Sequence, residues 1–200
     1  MQKVKSSIWF FSLLLLAGTV AAQQKTVSKS WGFRSINSIG LLEAENGSSF
    51  QLQTVNGARY KSWFAGVGVG LDYYRYRSIP LLLDLRKEFG KSANKVFVYT
   101  DLGMNFSWVT DKQKQNYYFP DDHFSNGLYS DLGVGYKLTL GKNNGFLISL
   151  GYSYKKITET YQGYIDYPYP TYIGNFVAVT QQQKINYSLN RLSIKFGWQF

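Results

Sequence analysis

The chain has 200 residues, 17 Tyr, 14 Phe, 19 Gly, only 4 Pro and a formal net charge of +10. It has no Cys, which excludes disulfides, thiolate metal sites, a cysteine nucleophile and the lipidated N-terminal cysteine of a bacterial lipoprotein. The basic residues are dispersed without a run or a helical stripe, so the charge suits phosphate-bearing lipid headgroups better than nucleic acid.

The N-terminus reads as an export signal. Lys3 and Lys5 give a positive start, residues 8–17 an apolar stretch, and Val20-Ala21-Ala22 a small-residue cleavage site with Gln23 next. The apolar run is too short for a comfortable transmembrane helix, which needs about 20 residues. Removing residues 1–22 leaves a charge of about +8, because Lys3 and Lys5 go with the signal. We expect a periplasmic segment over 23–35 and a single β-domain over 36–200.

From there the pattern has period two, the signature of strands. Two weaker strands come first, over 36–45 and 49–55. In 62–74, Trp63, Ala65, Val67, Val69, Leu71 and Tyr73 share one face, and Phe64, Gly66, Gly68, Gly70, Asp72 and Tyr74 the other. A third weak strand over 79–89 sets Leu81, Leu83 and Leu85 against Leu82, Asp84, Arg86 and Glu88. In 95–108, Val96, Val98, Leu102, Met104, Phe106 and Trp108 oppose Lys95, Phe97, Tyr99, Asp101, Gly103 and Asn105. The same parity holds in 128–140, 146–155 and 191–200. Upstream of Arg191 it slips at Ile185, Tyr187 and Leu189, which predicts a bulge near Asn190. The fold expected is all-β: an antiparallel up-and-down barrel of about eight strands, apolar outward and small or charged inward.

Asn46-Gly47, Asn56-Gly57, Asn126-Gly127 and Asn144-Gly145 mark turns where positive φ is needed. Long connections are expected at 109–125 and 159–184, the fifth and seventh. A chain starting in the periplasm puts both outside the cell, as the rule of short periplasmic turns and longer outer loops requires.

On these residues the chain resembles the small outer-membrane β-barrels of Gram-negative bacteria, the OmpX-like and OmpA-like group. The resemblance rests on the signal, the Gly-alternating strand over 64–72, Asp131-Leu132-Gly133-Val134-Gly135-Tyr136, and the terminal Phe196-Gly197-Trp198-Gln199-Phe200. It implies a cell outer-membrane location among lipid and lipopolysaccharide. It also implies that Phe196, Trp198 and Phe200 form the signal read by the barrel-assembly machinery.

Three groups of residues are candidates for function. Asp72, Asp84, Arg86, Glu88, Asp101, Asp131, Lys137, Lys155, Arg191 and Lys195 face inward, five acids against five bases, and read as an ion-pair plug rather than a porin-like pathway. His123, the sole histidine, precedes Ser125 by two on an extended segment, so the imidazole would lie beside the hydroxyl. The string His123-Phe124-Ser125-Asn126 resembles the lipid A 3-O-deacylase motif, which implies His123 as base, Ser125 as nucleophile and Asn126 at the oxyanion. Lys137 sits near the spacing of that family's acid, and a hairpin through 141–145 would instead bring Glu159 opposite Gly127, within reach of Ser125. Finally, Tyr161, Tyr164, Tyr167, Tyr169 and Tyr172, with Pro168 and Pro170, suit contact with an extracellular protein or glycan, or a fold back onto the barrel rim. Asp121-Asp122 lacks calcium-loop spacing, and no metal or cofactor is expected.

These readings favour a non-enzymatic outer-membrane barrel with a structural or surface-interaction role. The alternatives are a deacylase-like ester hydrolase and a soluble, lipocalin-like periplasmic carrier with its apolar residues around an internal cavity.

Overall fold

The structure is a computed structural model that describes residues 31–45, 47–74, 76–109, 123–141, 144–164 and 180–200, and the side chains of these except 161–164 and 180–182. The expected signal peptide, Asp121-Asp122, and Tyr167, Tyr169 and Tyr172 lie outside the described residues, as do the side chains of Tyr161 and Tyr164.

Among the described residues nine strands run in chain order: β1 Trp31–Glu43, β2 Ser49–Tyr60, β3 Trp63–Tyr73, β4 Arg77–Phe89, β5 Lys95–Ser107, β6 His123–Ser125, β7 Gly127–Thr139, β8 Gly145–Tyr164 and β9 Thr180–Gln199. All pairings are antiparallel, between chain neighbours except for β5 with β7 and β6 with β8, and β9 closes the sheet by pairing with both β8 and β1. Both β6 and β7 pair with β8 and are parted only by Asn126, so the pair counts as one wall strand of an eight-stranded barrel. Around the closed circuit no strand is left with a free edge, the condition for a sheet to cross a bilayer.

The registers fix the tilt. Stepping across paired residues from Phe33 leads to Ala58, Ala65, Leu85, Thr100, Leu132, Tyr152 and Leu192, and returns to β1 at Glu43. The circuit climbs ten residues, from 33 to 43, which tilts the strands by about 40° to the barrel axis.

The apolar parity set points outward: Leu132 is 64% exposed, Leu83 63%, Val67 57% and Leu102 53%. Ions and small residues line the lumen. The soluble carrier is therefore excluded, because its apolar residues would have to surround the cavity. Large lumenal rings lie across glycines of the adjoining strand or the one beyond it. A Cβ on Gly135 would sit 2.3 Å from the Phe97 ring, and one on Gly151 2.2 Å from the Tyr99 hydroxyl. Alternation of large and small side chains is what fills so narrow a barrel.

Four local expectations are corrected. The barrel begins at Trp31, so residues 31–35 belong to β1 and not to a periplasmic segment. Asn56-Gly57 is mid-strand, and Gly57 is required because a Cβ there would meet the Ala65 carbonyl at 2.1 Å. The turn lies instead at Lys61-Ser62, with Lys61 at φ 54°. No bulge occurs near Asn190, since the β8–β9 register runs unbroken from Gly145↔Gln199 to Tyr164↔Thr180. That hairpin takes residues 159–164 and 180–184 out of the loop expected over 159–184: each strand is 20 residues long, against the ~9–11 that cross a bilayer. The apparent slip is a change in residue type and not in parity: Ile185, Tyr187 and Leu189 keep the same face as Arg191 and Lys195 along the unbroken register.

A bulge does occur, at Asn126-Gly127. Ser125 pairs with Thr158 but Tyr129 with Lys155, so four steps on one side match three on the other. One extra residue reverses the parity of everything beyond it.

Candidate functional site: the barrel lumen and its two mouths

With the chain entering from the periplasm, the turns at 61–62, 90–94 and 140–144 are periplasmic, and the opposite mouth opens outside the cell. Alternation forces the even positions of β4 and the odd positions of β5, β7, β8 and β9 inward. The ten expected charges sort into layers along the axis.

Nearest the outside, Lys155 forms an ion pair with Asp72 and donates to Ser78 Oγ at 2.7 Å, while Ser78 donates to Asp72. Its ammonium also sits 4.1 Å from the Tyr74 ring centroid. Tyr74 lies in the outer β3–β4 connection and donates to Ser153; burial raises its phenol well above its ordinary pKa, so it stays a donor. Arg191 has a different role from the one expected: it donates to the carbonyls of Leu42 at 3.2 Å, Gly47 at 2.6 Å and Tyr74. It pins the β1–β2 turn, where Gly47 at φ 100° exposes its carbonyl, onto the wall.

Halfway down, Lys195 Nζ lies 3.1 Å from Asp101 and 3.0 Å from Asp131. Gln53 donates to Asp101 at 2.9 Å; Tyr99 and Ser193 donate to Asp131 at 2.9 and 3.1 Å. Arg86 grips Asp84 with Nε at 2.9 Å from both oxygens and Nη2 at 2.6 Å. Asp72, Asp101 and Asp131 are each 0% exposed. Such charges persist in a dry interior only when paired, because the desolvation cost of an isolated ion is large.

At the periplasmic mouth Glu88 meets Lys137 at 2.7 Å, Arg59 at 3.3 Å and Lys95 at 3.5 Å. Arg34 and Arg59 also point inward here, and neither was among the expected charges. The parity signal to find them was present, but the strands expected for β1 and β2 began too late and ended too early.

The outer mouth is aromatic. Tyr76 packs on Phe124 at 4.7 Å and on Tyr187 at 6.2 Å between ring centroids, and Tyr187 donates to Glu159 at 2.7 Å. Here the expected hydrolase triad separates. Glu159 pairs with Phe124, not Gly127, and is buried on the lumenal side at 3% exposure. The bulge turns His123 and Ser125 to the opposite, outward face, beside Thr160 and Thr158. Asn126 is occupied structurally, accepting from the Ser107 amide at 3.4 Å.

The last strand carries Phe196, Trp198 and Phe200 on the outer wall, all about half exposed. Trp198 packs edge-on against Phe146 at 5.3 Å, and Phe200 exchanges backbone hydrogen bonds with Ser35 at 2.9 and 3.0 Å, sealing β9 to β1. Among the described residues no group of three or more His, Cys, Asp or Glu is arranged to hold a metal ion.

No protein-family profile matches the chain, and no curated protein matches it. Solved structures do. The outer membrane protein OprG from Pseudomonas aeruginosa superposes with a TM-score of 0.54 at 12% identity, over 84% of this chain and 96% of that one. Neisserial surface protein A matches at TM-score 0.43 and 16% identity, over 86% of this chain and 96% of its own. The outer membrane protein AlkL, solved in lipid bilayers, matches at 0.43 and 15%, over 89% and 96%. With its apolar wall outward, its ions inward and its sheet closed on itself, the chain has the fold of the small eight-stranded outer-membrane barrels, and that wall suits a lipid bilayer.

Proposed function

We propose that this protein is a closed, non-conducting and non-enzymatic barrel whose work is done at the cell surface. The observation that carries the reading is the lumen itself. Paired charges are stacked from Asp72–Lys155 through Lys195 with Asp101 and Asp131 to Glu88–Lys137, and rings of Phe97, Tyr99 and Tyr129 fill the space between. An eight-stranded barrel is just wide enough for its own side chains. Planar-bilayer recordings should therefore show no discrete conductance steps, and reproducible single-channel openings would refute a closed lumen.

The surface role is supported by the β8–β9 hairpin. Twenty residues of strand reach roughly 65 Å, about twice what a tilted bilayer crossing uses. Such a projecting ribbon, with Tyr161, Tyr164, Tyr167, Tyr169 and Tyr172 in and beyond its outer end, suits contact with an extracellular protein or glycan, or with lipopolysaccharide sugars. Replacing residues 159–185 by a short turn should leave assembly and heat-modifiable gel mobility intact. The shortened protein should fail to complement a deletion strain, and full complementation would overturn the surface role.

A further inference from the structure

In the middle and outer layers the expected lumenal charges balance, Asp72, Asp84, Asp101 and Asp131 against Arg86, Lys155, Arg191 and Lys195, but at the periplasmic mouth they do not. There Arg34, Arg59, Lys95 and Lys137 line a cavity of about 170 Å³ together with Thr139 and Gln199. One carboxylate, Glu88, serves three of these four cations. With its amide oxygen turned inward, Gln199 accepts from Lys137 Nζ at 3.3 Å and Arg34 Nε at 3.2 Å, so the cations reach for neutral oxygen where acid runs out. The Arg34 and Arg59 charges repel each other. No nearby turn relieves the excess: residues 61–62, 90–94 and 140–144 contain no acid.

The mouth is also held in shape. Thr139 donates its amide to Asn94 Oδ1 at 3.0 Å and its hydroxyl to the Ala93 carbonyl at 2.6 Å, which locks two periplasmic turns together over the cavity. Preorganised like charges in a partly desolvated cavity repel one another more strongly than in water, and an anion placed among them gains by the same factor. Two guanidinium groups present planar forks that match phosphate oxygens, and two ammonium groups supply point charges. We propose that the periplasmic mouth of the lumen binds a phosphate-class oxyanion. The proposal stands apart from the surface role, since it concerns the other end of the barrel.

The test uses the whole protein in phosphatidylcholine nanodiscs, titrated with inorganic phosphate and followed by the amide NMR shifts of Arg34, Arg59, Thr139 and Gln199. Saturable binding is expected, weakened at least tenfold in R34Q/K95Q. It should be unchanged in K61Q/K87Q, whose lysines sit outside the lumen over Tyr60 at 5.2 Å and Trp63 at 4.8 Å. Discs containing phosphatidylglycerol, without added phosphate, form the second arm. Shifts at the same residues there identify a headgroup as a source of the phosphate; shifts only on adding inorganic phosphate identify a free anion. Should R34Q/K95Q fail to fold by gel mobility, K95Q alone, at the more exposed cation, should weaken binding severalfold. Absence of saturation in both kinds of disc, or equal binding by the folded variants, overturns the proposal.

Discussion

Replacing Lys195 by Met removes a charge while nearly keeping the side-chain volume, which makes it the most direct probe of the lumen. The ammonium lies 3.1 Å from Asp101 and 3.0 Å from Asp131, and donates to a third partner, Gln53 Oε1, at 3.3 Å. Losing it leaves two carboxylates, each 0% exposed, adjacent across β5 and β7 with no cation between them. Breaking one buried ion pair costs about 3–5 kcal/mol because a charge is left uncompensated. The hydrogen bonds from Gln53, Tyr99 and Ser193 survive and hold the cost near that range rather than doubling it. With a urea slope of about 2 kcal/mol per molar, the midpoint should fall by roughly 2 M. The assay is urea unfolding in phosphatidylcholine liposomes, read by tryptophan fluorescence and by the mobility of unboiled samples. Neutralising all three groups, K195M/D101N/D131N, should recover most of the loss, because a buried ion cluster replaced by neutral groups is often close to neutral in stability. A K195M midpoint within about 0.5 M of wild type would mean that the ions are solvated and the lumen is not packed as described.

Further expectations concern the wall, the packing and the separated triad. Gly151→Ala places a Cβ 2.2 Å from the Tyr99 hydroxyl and 2.7 Å from Asp131, and should cost about 1–3 kcal/mol in the same unfolding assay. Gly32→Ala, with nothing within 4 Å, should cost far less, and equal losses would contradict the packing. Leu83→Arg, at a wall position 63% exposed, should destabilise the liposome-inserted barrel by about 2–4 kcal/mol if it lies near the bilayer midplane. An unchanged midpoint would mean that Leu83 does not face hydrocarbon. Ser125→Ala should leave the acylation pattern of lipid A unaltered, because Glu159 is turned to the lumen and cannot orient His123. A mass spectrum in which only the wild type removes an acyl chain would sink that reading.

Some features of the barrel are local in origin, and the sequence determined them alone. Side-chain direction in a strand has period two, so the outward face of Val67, Leu83, Leu102 and Leu132 and the inward face of Asp72, Asp101 and Lys195 follow from alternation without knowing any neighbour. The strand count and the inside-out sense followed in the same way. Which charges meet did not, because it depends on registers summed around the whole circuit. A climb of ten residues sets Lys195 between Asp101 and Asp131, and leaves Arg191 with backbone carbonyls. The bulge at Asn126-Gly127 shows the same limit most sharply. One extra residue, detectable only against β8, sends His123 and Ser125 outward and leaves Glu159 inside. The cationic mouth likewise joins Arg34 of β1, Arg59 of β2, Lys95 of β5 and Lys137 of β7, residues that are neighbours only because the sheet closes.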